Sequence, residues 1–368
     1  MEGNGTTETS NSSAPCGNNL CEIANYIWMI ISPIIFVFGM VGGILIVMVF
    51  IRMKFWGTPL MVFLFVLTMT DMIILCVGLI RLWILETWGF DIRSLSDSVC
   101  KLLHFLVYFS MQFSSWILVC VTVERFIKCN YIAYKSIVTV KKSVIAVCIL
   151  FSVLGCLNSH YFWTHGFVTN NNVSICNVTP GYETFDDWYI KIDLFVLCVV
   201  PFCIMLSLDL VIMRSLKTAR TFRRSSVAAP QMYTRTKKVD QRLTKMLVFT
   251  NSYFLISTLP VSILFILTIY LDSNAEDMNA IFTFCGSIVY TLQYSNYAVN
   301  CIFYTIFDKK IRQHIRRLLR AAKPRFGQHG SQYSLSSCST RMSQSFSTVS
   351  SNVSIRSISE SVRLQQNT

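Results

Sequence analysis

Residues 23–51 read IANYIWMIISPIIFVFGMVGGILIVMVFI, and no charged side chain appears until Arg52. A helix of that length crosses a hydrocarbon layer of ~30 Å, and a soluble core helix has no need of so long an apolar run. Working outward, further runs of this kind follow at 59–85, 102–123, 143–163, 188–213, 246–271 and 279–306. Composition agrees. The chain of 368 residues is 53% hydrophobic and 14% charged, with a mean hydropathy of +0.51, whereas soluble domains carry about 25% charged residues. The expected fold is an all-α membrane protein, a bundle of seven transmembrane helices.

The net charge of +13 reports topology rather than a nucleic-acid partner. Basic residues cluster in alternate connections: Arg52 and Lys54, then Arg125 to Lys142, Arg214 to Lys245, and Lys309 to Arg325. The other connections hold Glu86, Asp91, Asp97, Glu183, Asp186, Asp187, Asp272, Glu276 and Asp277. By the positive-inside rule this places the N-terminus outside and, after seven crossings, the C-terminus in the cytoplasm. The expected location is the plasma membrane. The first 22 residues lack the charged and apolar regions of a signal peptide. Glycosylation sequons stand at Asn4, Asn11, Asn172 and Asn177 on the expected outer side, and one more at Asn352 in the expected inner tail, where it cannot be used. Cys100 and Cys176 face the same oxidising side, where a disulfide is the natural state; Cys16 and Cys21 form a second candidate pair.

The expected domains are an extracellular segment over 1–22, the transmembrane unit over 23–308, an amphipathic helix over 309–320 and a disordered cytoplasmic tail over 321–368. In the amphipathic helix Ile311, Ile315, Leu318 and Leu319 form one stripe, and Lys310, Arg312, Arg316, Arg317 and Arg320 face headgroups. The tail is rich in Ser and Thr and poor in large apolar residues.

Ionisable groups at membrane depth are costly and default to function. Asp71 stands midway along the second run, either satisfied by neighbouring hydroxyls or holding a cation with Ser114, Asn296 and Asn300. Glu124-Arg125 closes the third run. Arg125 either snorkels to headgroups or forms a latch, held by Glu124 and from across the bundle by Asp240.

These residues, in this order, resemble the rhodopsin-like G-protein-coupled receptors over about residues 25 to 320. Cys100 and Arg125 keep the family's spacing, Glu124-Arg125-Phe126 matches its charged triplet, and Pro201 and Pro260 match the prolines of the fifth and sixth spans. Phe254 stands at the switch position, and LQYSNYAVNCIFY carries the seventh-span motif through Asn300 and Tyr304. Five positions depart from the pattern: Gly43 for the first-span Asn, Thr258 for the sixth-span Trp, Cys301 for the seventh-span Pro, Asp209 for the fifth-span Tyr, and no Trp in the fourth span. Thr258 cannot swing as an indole does, so activation through Pro201, Phe254, Thr258 and Pro260 is expected to differ in detail.

The resemblance implies a receptor, not an enzyme. It would bind an extracellular ligand, activate a heterotrimeric G protein, take no cofactor beyond a possible allosteric Na⁺, and present its tail to receptor kinases and arrestin. Val107 replaces the third-span Asp of amine receptors, and Tyr294 the seventh-span Lys of opsins. The NCIFY and NSHYFW stretches are similar to invertebrate neuropeptide receptors of the FMRFamide kind, so the expected ligand is a peptide. The acidic outer rim either attracts a cationic peptide or merely complements the inner positive charge. A small-molecule chemosensory receptor is the alternative. A transporter would show several buried charges or discontinuous helices in related halves, and an intramembrane enzyme paired carboxylates or a His cluster. Few mid-membrane charges and five His, mostly in loops or near span ends, speak against both.

Overall fold

The computed structural model describes residues 19–130, 138–170, 173–225, 231–270 and 276–322. Seven long helices follow one another: Asn19–Arg52, Pro59–Trp88, Asp97–Asn130, Val140–Asn158, a fifth built of Glu183–Leu194 and Val200–Ser225, then Gln231–Tyr270 and Glu276–Phe307. An eighth helix, Lys309–Ala322, ends the described chain. Six of the first seven are long and apolar enough to cross a membrane. The seventh falls short in hydropathy because it carries Gln293, Tyr294, Asn296, Tyr297, Asn300 and Tyr304. All six are buried, so its polar side faces the bundle.

Local chemistry sets the helix ends. Thr58 caps the second helix, its hydroxyl accepting from the Met61 amide at 3.4 Å, and Pro59 occupies the first turn, where a missing N–H costs nothing. Gly89, at φ 68°, closes the same helix in the left-handed conformation that favours glycine. The first helix begins at Asn19, inside the stretch expected to be an extracellular segment, because no helix-breaking residue separates Asn19 from the apolar run.

Two helices contain one wide π turn each, Leu75–Leu79 in the second and Phe195–Val199 in the fifth. A π turn takes up one extra residue and leaves a carbonyl poorly satisfied. In the fifth helix the Trp116 indole N–H of the third helix donates to the Val196 carbonyl at 3.0 Å.

The first helix packs on the second and seventh, the third on the second, fourth and fifth, and the sixth on the seventh. Gly39 permits a close approach: an added Cβ would lie 2.4 Å from Leu75 Cδ1 and 3.0 Å from Ala298 Cβ. The shared core runs from Phe50 and Leu67 through Ile117 and Leu118 to Met205, Phe254 and Tyr304. Ile30, Ile34, Val37 and Val41 of the first helix are exposed, as lipid-facing positions are.

Between the fourth and fifth helices, where the sequence reads only as a loop, lies a two-stranded antiparallel hairpin, His165–Asn170 with Val173–Val178. The chain divides after Leu318 into two compact units. Within the first, Asp308 caps the eighth helix by accepting from the Lys310 amide at 2.7 Å, and Ile311, Ile315 and Leu318 join the core. Of the second unit, only residues 319–322 are described, and there Leu319 is exposed.

Candidate functional site

Three polar layers cross the bundle. In the central one, Asp71 is buried on the second helix. Ser114 Oγ donates to its Oδ1 at 2.9 Å and Asn300 Nδ2 to its Oδ2 at 2.7 Å, so one carboxylate joins the second, third and seventh helices. Asn296 is buried one turn away on the seventh helix and makes no hydrogen bond to Asp71 among the described residues. Asn300 Oδ1 is buried without a hydrogen-bond partner.

The inner layer centres on the third helix. Glu124 is 2% exposed and Arg125 4%. Arg125 Nε lies 3.1 Å from Glu124 Oε2, an ion-pair distance without hydrogen-bond alignment, and Lys128 pairs with the other oxygen. Phe126 is half-buried beside them. Asp240 belongs to the sixth helix, but its side chain lies outside the described residues, so the expected cross-bundle partner of Arg125 is not placed. Tyr304 is fully buried with its ring 6.2 Å from Phe50.

One turn deeper, Asn251 of the sixth helix donates to Thr122 Oγ1 at 2.8 Å and to Asp209 Oδ2 at 3.1 Å. Asp209, noted in the sequence only as a departure, is therefore the fifth helix's share of a buried trio. Phe254 and Thr258 continue the sixth helix outward, both buried, the Thr258 hydroxyl unpartnered. Pro260 sits half-buried inside that helix, and Pro201 is buried just past the π turn of the fifth.

The outer layer was largely missed from the sequence. Gln112 donates to Asp193 at 2.5 Å and Asn158 Nδ2 to Gln112 Oε1 at 2.7 Å, while the Tyr189 hydroxyl reaches Asn158 Oδ1 at 3.3 Å. Third, fourth and fifth helices are thus joined around one buried carboxylate. Toward the second helix, Arg93 Nε and Nη2 grip Asp91 at 2.6–3.2 Å, and Arg93 Nη1 meets His104 Nε2 at 2.9 Å. Burial raises the Asp91 carboxyl, but the Arg93 contacts outweigh it and hold the group below the usual range. Arg81 and Asp193 lay within the sequence runs 59–85 and 188–213, and a charge inside an apolar run is the signal that identifies both.

Cys100 and Cys176 form a disulfide, Cα atoms 5.6 Å apart, that ties the hairpin to the third helix. The Phe167 amide adds a bond to Asp97 Oδ1 at 3.0 Å. Cys21 is also disulfide-bonded, and Cys16 lies outside the described residues. So do Asn4, Asn11 and Asn172. Asn177 is exposed on the second strand.

A family model for seven-transmembrane receptors of the rhodopsin family matches residues 42–304. The chain belongs to this family. The receptor is similar to galanin receptor 2b of Danio rerio, 23% identical over 303 residues that cover 80% of this chain and 75% of that one. It is 24% identical to growth hormone secretagogue receptor type 1 of Homo sapiens over 300 residues, 77% of this chain and 78% of the relative. With neuropeptide FF receptor 2 of Rattus norvegicus it shares 25% over 299 residues, 76% and 69% of the two chains. It is a multi-pass membrane receptor and not an enzyme.

Proposed function

We propose that this receptor binds an extracellular peptide at its outer layer and activates a heterotrimeric G protein at its inner layer. Its N-terminus is extracellular, its C-terminus cytoplasmic and its membrane the plasma membrane. The observation that carries the signalling half is the buried Glu124–Arg125 pair closing the third helix. A guanidinium stays charged and can exchange a carboxylate for the carbonyls of an inserted helix, so a pair held without hydrogen-bond alignment is suited to opening. The peptide half is supported by relatives whose names are galanin and neuropeptide FF receptors.

The Asp71 layer fits a Na⁺ ion, because Asn300 Oδ1 is a buried oxygen in want of a positive partner beside a carboxylate. Asp71, Ser114 and Asn300 would hold the ion; Asn296 is near, and Gly43 adds no oxygen. When bound, the ion supplies positive charge that braces the second, third and seventh helices.

The test is a second-messenger screen in cultured cells against peptides in amidated and free-acid form, with an N-terminal tag read on unpermeabilised cells. A peptide response is expected that Arg125→Ala silences at matched surface level while peptide binding persists. Asp240→Ala is expected to raise agonist-free signalling by roughly five- to thirty-fold if it removes about 1–2 kcal/mol of latch. Normal signalling from Arg125→Ala would overturn the inner-layer assignment.

A further inference from the structure

Arg81 is a cation whose ion pair among the described residues is long and shared with a second guanidinium. It lies on the second helix, past the π turn that holds Gly78 and within electrostatic reach of Tyr294 on the seventh helix. Gly78 lets the two helices meet there, since a Cβ added to it would come 2.7 Å from the Tyr294 hydroxyl. The Arg81 side chain is 16% exposed. Its Nη1 is buried with no hydrogen-bond partner, and no other guanidinium nitrogen of Arg81 makes a hydrogen bond among the described residues.

The nearest carboxylate does not answer this. Asp91 Oδ1 is 3.8 Å from Nη1, beyond hydrogen-bond reach. Both Asp91 oxygens are already taken by Arg93, whose Nη1 donates to His104 Nε2. Two guanidiniums thus compete for one carboxylate, and Arg93 holds it. Glu86 is within electrostatic reach of Arg81 but forms no ion pair with it among the described residues. The other groups around Arg81 are the phenols of Tyr108, Tyr290 and Tyr294, which offer hydroxyl donors and no negative charge near neutrality.

We propose that Arg81 is the seat of a carboxylate carried by the receptor's extracellular ligand, with Asp91 as the internal competitor that sets its strength. A single planar guanidinium matches a carboxylate bidentately. A phosphate or sulfate would call for more than one free cation, and Arg93 is not free. The outer layer is then bipolar, with Arg81 at its second-helix side and Asp193 at its fifth-helix side. Tyr108 lies within electrostatic reach of both. The inference rests on the reading that ligand enters the outer layer, and it adds the acid group that ligand must bear.

The carboxylate has two sources in a peptide, the free C-terminus or an acidic side chain. Three small probes separate them: N-acetyl-L-phenylalanine, its amide, and the α-amide of N-acetyl-L-glutamic acid. Binding is read by saturation-transfer NMR and thermal shift on the full-length receptor in phosphatidylcholine nanodiscs at low chloride. One of the two acids is expected to bind and the neutral amide is not; the binding acid identifies the source. Arg81→Gln is expected to weaken that acid by about tenfold or more, the loss of a charge-assisted pair. Asp91→Asn withdraws the competitor and is expected to tighten binding, a gain that misfolding cannot imitate. Arg81→Gln with Asp91→Asn should fall back to the level of Arg81→Gln alone, which assigns the gain to Arg81 and not to a liberated Arg93. Absence of acid binding, equal binding of the neutral amide, or acid binding that survives Arg81→Gln each overturns the proposal. A receptor that answers peptides in cells yet binds neither acid overturns this inference alone, and one that binds acid but answers no peptide overturns only the peptide reading.

Discussion

Two buried carboxylates, Asp71 and Asp209, sit at different depths with different partners, and their substitution should fail in different ways. Asp71 has donors from two other helices and an orphaned Asn300 oxygen beside it. A cation favouring this closed arrangement must weaken agonist binding by linkage. Agonist affinity is therefore expected to fall when Na⁺ replaces a large organic cation in wild type and not in Asp71→Asn; an unchanged salt response in the variant would remove the ion. Asp209 has one side-chain donor, Asn251, which also holds Thr122. Asn251→Ala leaves a buried carboxylate unpaired at a cost of about 1–3 kcal/mol, so a lower melting temperature in detergent is expected, with Asp209→Asn relieving part of it in the double variant. An additive double variant would show the contact carries no coupling. At this scale the sequence was half legible. Asp71 was marked by its place in an apolar run, and Asn300 followed from its motif. The trio and the Gln112–Asp193–Asn158 set needed three helices at a known rotation, which spacing along one chain does not supply.

Helices were the most legible elements, since a span of apolar residues has few alternatives in lipid. Their ends were less so: the first begins at Asn19 and the fifth runs to Ser225, because polar ends carry no hydropathy signal. The hairpin was missed although VSICNV alternates and follows three consecutive Asn residues at 170–172; two six-residue strands are weak evidence without the disulfide that holds them. His165 opens the hairpin, its ring 4.4 Å from His104 and its Nε2 3.8 Å from Asp186. Burial, then the neighbouring His160 and Arg93, push its imidazole down to about 4. The unfolded chain binds this proton near 6.5, so between roughly pH 6.5 and 4 unfolding takes up a proton that the folded receptor refuses, and stability is lost as pH falls through that window. Thermal denaturation at pH 7 and pH 5 should show that drop, and His165→Gln should reduce it. An equal drop in the variant would place the titration elsewhere.

Across the whole molecule, the seven apolar runs read from the sequence agree with the seven-transmembrane family, while the charge map that orients the termini stands as an expectation of the positive-inside rule. Partners at the inner face were legible only as expectations. The tail from 323 lies outside the described residues. Ser336, Ser337, Ser339, Thr340, Ser343, Ser345, Ser347, Thr348, Ser350 and Ser351 crowd one stretch of it, and each phosphate adds about −1.5 to −2 charge. Truncation after residue 330 is expected to leave G-protein signalling intact and to abolish arrestin recruitment by agonist, measured by proximity luminescence. Undiminished recruitment would assign arrestin to the helical bundle instead.

The π turn at Leu75–Leu79 also bears on how this chain is compared with others. It takes up one residue more than an α turn would, so positions beyond it are displaced by about 100° against a plain helix. A relative whose second helix lacks the turn can be matched residue for residue up to Asp71 and still be out of step at Arg81. Correct alignment of the outer half then needs a gap inside a helix, where gaps are ordinarily forbidden. Without it, the side chain opposite Arg81 in the relative would be the wrong one, and two receptors with the same outer chemistry would be scored as different.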